Sequence, residues 1–292
     1  MEKFVRTDLA SEAHSLWRQR QKTRSLPGVF SERREEDGFA LEIVEVRDQN
    51  ASSELCKPIG RYVTMELGAL LRREADAFKR ACAVLSKELR AQLDLRAGES
   101  VLVVALGNAD ITPDAVGPLT AEQVLVTRHL TEQMPEEFGV FRPVSVFCSG
   151  VLGTTGVESA ALTGAVARLV APARIIAVDA LAACETAHLC RTVQVSDTGI
   201  VPGSGVGNAR SALTGETLGV PVVALGVPTV VDARTLCVEW TGDEGNAPDG
   251  ELFVTPRDID CRVRDVARLL GYSINLALHD GLTVEDIDMY LS

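Results

Sequence analysis

A chain of 292 residues, 46% apolar but only 4% aromatic, can build one large core from small and branched aliphatics, the filling of strands packed between helices. Its net charge of -12 repels phosphate backbones and anionic bilayers, which argues against direct nucleic acid binding and against membrane attachment. Seven cysteines without a C-x-x-C pair, and four scattered histidines without H-E-x-x-H, supply neither a disulfide framework nor a zinc site, so reduced thiols in a cytoplasm are expected, with no metal and no cofactor.

The opening MEKFVRTDLASEAHSLW lacks the apolar stretch of a signal peptide, and no apolar run is long enough to span a bilayer. The sequon at Asn50 is therefore idle. The first 35 or so residues, ending in SERREED, read as a mobile arm with one short helix. FALEIVEVRD (39–48) alternates as a strand does, and KPIGRYVTMEL gives a loop and a second strand. Residues 66–95 have the pattern of one long amphipathic helix. Strand-like runs then follow at 101–106, 143–148, 173–181, 192–197 and 221–227, separated by helices at 119–133 and 156–169 and by a glycine-rich loop. A helix at 257–279 and the short LTVEDIDMYL close the chain. Apolar strands alternating with helices predict an α/β fold, a three-layer sandwich around a largely parallel sheet, in one domain.

In such folds ligands gather beyond the C-terminal ends of the strands, and three candidates lie there. The first is ALGNADITPDAVGP, whose glycines and prolines demand a particular backbone shape around Asp114, although Thr-Pro-Asp is also an ordinary turn. The second is IIAVDAL, where Asp179 ends an apolar run; an ionised carboxylate there is costly unless paired, for example with Arg191 or Arg210. The third is SDTGIVPGSGVGNAR, with Gly203, Gly205 and Gly207. It fits neither G-x-G-x-x-G nor a P-loop, but its glycines let an extended peptide approach the backbone. Two Asp at the ends of separate strands can, if they face each other, share a proton, one acting as base on water and the other as acid toward a peptide nitrogen. A nucleotide-binding Rossmann-like protein, a nickel-sensing maturation protease and a non-catalytic scaffold remain open as alternatives.

Taken together, GNADITPDAVGP, VTRHL (126–130), AVDALAA (177–183), SDTGIVPGSGVGNAR, TLGVPVVALGVPTVVDA (217–233), VTPRDID (254–260), INLALH (274–279) and the arm RTDLASEA resemble the germination protease family of endospore-forming bacteria, over nearly the whole chain. The resemblance implies an endopeptidase of the forespore and spore-core cytoplasm that degrades small acid-soluble spore proteins. It also implies a homotetramer, a self-processing zymogen, and a fold similar to that of the hydrogenase-maturation proteases. It puts the catalytic pair on Asp114 and Asp179. Substrates of the family are cut after the acidic residue of a pattern like T-E-[F/I]-A-S-E, and Thr7-Asp8-Leu9-Ala10-Ser11-Glu12 follows it. Cleavage between Asp8 and Leu9 is thus expected, with residues 1–8 as pro-segment and 9–292 as the peptidase domain. Asp8 is also placed to cap a helix. The chain departs from the family pattern in carrying Cys184 where an Arg is expected, Asp280 where His-Pro is expected, and a shorter segment at 240–251.

Overall fold

The computed structural model describes residues 6–21, 25–205, 207, 210–242 and 252–292. In chain order these form α1 (Ala10–Gln21), β1 (Val29–Glu36), β2 (Phe39–Val46), α2 (Gln49–Leu55), β3 (Gly60–Glu66), α3 (Ala77–Leu93), β4 (Val101–Leu106), α4 (Val116–Ala121), β5 (Val144–Gly150), α5 (Ser159–Val170), β6 (Arg174–Ala183), β7 (Thr192–Ser196), β8 (Val222–Asp232), α6 (Ala233–Thr241), β9 (Phe253–Val254), α7 (Ile259–Leu278) and α8 (Val284–Leu291). The strands make one sheet in the order β1-β2-β3-β7-β8-β6-β4-β5, with β9 against β8. Its functional half, β8-β6-β4-β5, is parallel. The remaining pairs are antiparallel.

VLVVAL forms β4, every residue of which is buried, as a parallel strand covered on both faces requires. Val101 and Val103 pack toward α3, α7 and α8, while Leu102, Val104 and Leu106 pack toward α5. On that second face α1 and α2 cover β2 and β3 through Val44, Val46 and Tyr62. These three layers match the sandwich expected from the sequence.

Three segments differ from expectation for identifiable reasons. The described part of the first 35 residues is not a loose arm: α1 docks on β2 and β3, and β1 pairs with β2 along its full length. The long helix of 66–95 is interrupted, since Arg73 and Asp76 take left-handed backbone conformations before α3 begins. The helix expected over 119–133 is broken after Ala121, where the fully buried Asn275 of α7 captures the following backbone, and helix resumes at Arg128–Gln133. Its Oδ1 accepts from the Leu125 N–H at 2.9 Å and its Nδ2 donates to the Gln123 carbonyl at 2.8 Å.

This clasp ties α4, and with it the turn after β4, to the core. Asn275→Leu keeps the volume but strands a buried donor and a buried acceptor. It is expected to cost about 2–5 kcal/mol of unfolding free energy, measured in urea.

Candidate active site

β4 lies between β5 and β6, so the chain leaves it in one direction and returns on the other side, which opens a crevice beyond the carboxyl ends. Pairing of β4 with β6 ends at Ala105↔Val178, whereas β6 continues to Ala183. Asp179 is therefore the first residue of β6 without a β4 partner. It is not at the strand's end, as the sequence suggested, but at the point where one edge of the strand becomes free.

Asp114 reaches the same crevice from the turn after β4. Gly107 makes this possible: its φ is +102°, and a Cβ there would lie 2.1 Å from the Asp114 carbonyl oxygen. The chain then folds back through a short 3-10 turn, and the Asn108 N–H donates to Asp114 Oδ2 at 2.8 Å. The glycine-rich opening loop thus presents a carboxylate. Asp179 is 5% exposed, and its Oδ1 accepts from the Ala180 N–H at 2.9 Å. No ion pair to Asp179 occurs among the described residues; Arg210 lines the same crevice.

Asp114 and Asp179 line one cleft of about 560 Å³, together with Gly203, Gly205 and Asp8. Burial raises both carboxyls. Asp114 is pushed up to about 6, partly offset by the Asn108 N–H. Asp179 is held well above the usual carboxylate range, first by burial and then by the negative charge of Asp114, with Asp8 adding to it. The two shifts make Asp179 the more readily protonated member of the pair and Asp114 the more readily ionised one.

The free edge of β6 is occupied by the chain's own arm. The Asp8 N–H donates to the Ala182 carbonyl and the Ala182 N–H donates to Asp8 Oδ2, both at 2.9 Å. Ser204 Oγ donates to Asp8 Oδ1 at 2.6 Å. Asp8 thus spends its carboxylate on β6 and the glycine-rich loop rather than on capping α1. Gly205 is needed for close approach, because a Cβ there would lie 2.1 Å from Asp8 Oδ2 and 2.6 Å from the Ala182 Cβ. Gly207 faces Arg6 in the same way. Leu9 is fully buried among Leu181, Ala183, Leu189, Val231 and Leu236. Of the expected pro-segment, residues 1–5 lie outside the described residues, as does most of 240–251.

The contacts of four groups around the arm escape a reading of the sequence. Lys57 Nζ donates to the carbonyls of Asp8 at 2.8 Å and Thr7 at 3.1 Å. Gln194 Nε2 donates to the same Asp8 oxygen at 3.3 Å, and its Oε1 accepts from the Ala10 N–H at 2.8 Å. Ser204 is the residue through which the glycine-rich loop bonds to Asp8. Glu12, buried, accepts from the N–H groups of Cys184 and Glu185 and pairs with His188. Cys184 thus contributes its backbone, not a side-chain charge. Glu12 carried a signal as the last residue of the Thr7–Glu12 pattern, Ser204 as part of the glycine-rich loop and Gln194 as a polar residue on the strand TVQVSD, but their contacts with the arm did not; Lys57 carried none.

No group of three or more His, Cys, Asp or Glu suited to a metal ion occurs among the described residues, and none of their helices is long and apolar enough to cross a membrane.

The electrostatics give a direct expectation. Carboxyl-labelled NMR should find Asp114 titrating near pH 6 and Asp179 well above the usual carboxylate range, with Asp114→Asn lowering the Asp179 value because a neighbouring negative charge is removed. Two ordinary carboxylate titrations near pH 4 would contradict this.

Comparison with known proteins places the chain among relatives. It is 38% identical to a germination protease of Caldanaerobacter subterraneus subsp. tengcongensis, covering 98% of both chains. It is 43% identical to that of Bacillus cytotoxicus, covering 98% of this chain and 96% of the relative. It is 35% identical to that of Clostridium tetani, covering 99% of each. Among solved structures, a [NiFe] hydrogenase maturation protease, HycI, from Thermococcus kodakarensis aligns over 63% of this chain and 98% of its own, at 18% identity and a TM-score of 0.34. A family model described as germination protease matches residues 7–241, and with relatives this similar over nearly their whole length the chain belongs to the germination protease family.

Proposed function

We propose that this chain is an endopeptidase that degrades small acid-soluble spore proteins during germination in the spore-core cytoplasm. It works as a homotetramer and is made as a zymogen that removes its own residues 1–8. The observation that carries this reading is that one cleft contains Asp114, Asp179 and the arm residue Asp8. Relatives named germination protease supply the substrate setting.

The reaction follows from the single shared proton. The ionised Asp114 takes a proton from water as the oxygen attacks the peptide carbonyl carbon. The protonated Asp179 gives its proton to the departing nitrogen as the C–N bond breaks. The pair then carries one proton again, with the two roles exchanged. Activity on this scheme falls as pH drops through about 6, where Asp114 becomes neutral. A water activated by carboxylates requires no metal, so the rate should survive exhaustive chelation. A docked arm fills the cleft that a substrate must enter, which accounts for latency before processing.

A nucleotide-binding role is not favoured by any particular contact. The loop after β4 folds back on Asp114, and the glycine-rich loop bonds to Asp8 through Ser204.

Asp114→Asn and Asp179→Asn should each abolish cleavage, by at least about 1,000-fold, in proteins that still fold. The sign of the stability change is also set for Asp179. A carboxyl raised in the folded state loses stability as pH rises from its unfolded value, near 4, toward its folded one. Asn removes that loss, so the Asp179→Asn protein should melt no lower than the parent at neutral pH. N-terminal sequencing of the parent during incubation should reveal Leu9 as the new terminus. A different new terminus, or full activity with Met1 retained, rejects the zymogen assignment; an active, folded Asp114→Asn protein rejects the catalytic pair.

A further inference from the structure

The seat of Asp8 has a composition that the intact arm does not fully use. Its side-chain carboxylate takes two neutral donors, the Ala182 N–H and the Ser204 hydroxyl. Its main-chain carbonyl takes two more, the amide of Gln194 and the ammonium of Lys57. Both acceptors that Lys57 finds belong to the arm, the carbonyls of Thr7 and Asp8. The ammonium hydrogen-bonds only to two neutral carbonyls, and burial lowers its affinity for its proton although the Asp8 side-chain carboxylate, which it does not hydrogen-bond, partly offsets this. The nearby carboxylate of Glu12 does not hydrogen-bond it either, since that group is committed to two backbone N–H donors, Thr7 and His188.

We infer that Lys57, Gln194, Ser204 and the Ala182 N–H form a receptor for a C-terminal aspartate, which retains the released pro-segment, and any peptide fragment ending in Asp, as a competitive inhibitor. The inference rests on the cleavage proposed above. Hydrolysis of the Asp8–Leu9 bond adds the oxygen of water to the Asp8 carbonyl carbon and leaves the nitrogen on Leu9. The neutral carbonyl facing Lys57 thereby becomes a carboxylate. A hydrogen bond between a cation and a neutral acceptor turns into an ion pair, while the two bonds to the side-chain carboxylate are unchanged. Charge-assisted bonds of this kind are stronger than neutral ones, more so where water is largely displaced. The product is thus held more tightly than the peptide unit it came from, and the site reads two carboxylates on one residue. The other side of the cut is anchored separately. Leu9 sits in its apolar pocket and the Ala10 N–H on Gln194 Oε1, so the remaining chain keeps the seat in shape.

The test uses the processed protein, its new terminus confirmed by sequencing, so that a chain which keeps Met1 is recognised first as a failure of the cleavage reading. Calorimetry then measures binding of the synthetic octapeptide of residues 1–8 as the free acid and as the C-terminal amide. The acid should bind at least about 10-fold more tightly, the gain of one charge-assisted contact. Lys57→Met should erase that difference, leaving acid and amide within about 2-fold, while Lys57→Arg keeps most of it. Ser204→Ala should weaken both forms alike, since it touches only the side-chain carboxylate. Equal binding of acid and amide to the parent protein, or a preference for the acid that survives in the Lys57→Met protein, overturns the inference. So does an octapeptide acid that leaves cleavage of a substrate peptide uninhibited at concentrations that saturate its site.

Discussion

The arrangement depends on a mismatch of strand lengths. β4 ends at Leu106 while its neighbour β6 runs on to Ala183. Beyond Val178 the backbone of β6 has a free edge on that side, and unpaired N–H and C=O groups in a protein interior must find partners. The arm supplies them at Ala182 through Asp8. Everything distinctive about the site follows from this gap. Asp179 stands at its start, the turn carrying Asp114 folds over the end of β4, and the glycine-rich loop closes in with Ser204. The second layer of helices leaves the space open, with α5 on one side and α1 and α2 on the other.

A free edge of this kind suits a peptidase because an extended peptide can add to it as a further strand. The same edge would be an aggregation hazard if left bare, and the arm covers it. The same contact that covers the edge places Asp8 in the cleft with Asp114 and Asp179. The electrostatics are compatible with it, because the Asp8 charge added beside two buried carboxyls is offset by the nearby Lys57 ammonium and by donors on β6 and the glycine-rich loop.

Much of this was legible in the sequence. Continuous apolar runs marked the parallel strands, and an Asp inside an apolar run is costly enough to attract notice. The two carboxylates, Gly203, Gly205 and Asp8 were each singled out separately, and they line one cleft, whereas Gly207 lies against Arg6 and Leu9 in its own apolar pocket. What stayed hidden was set by tertiary contacts. Nothing local marks Asn275 as the residue that ends a helix about 150 positions earlier, and nothing in the charged run at 72–76 signals the left-handed turns at Arg73 and Asp76. The docking of the first residues was missed because SERREED is polar throughout. β1 is an edge strand with little burial, held by its partner's backbone and not by an apolar face. Lys57 resembled any other loop lysine until the arm carbonyls were seen beside it.

The central claim is that Asp114 and Asp179 act through water and not as nucleophiles. Single-turnover self-cleavage in 18O-labelled water, followed by mass spectrometry, tests this most directly. The account predicts one 18O atom in the Asp8 α-carboxylate of the released octapeptide, with the side chains of Asp114 and Asp179 unlabelled. An unlabelled octapeptide, with the heavy oxygen in either aspartate, would show attack by a carboxylate through an anhydride and contradict it.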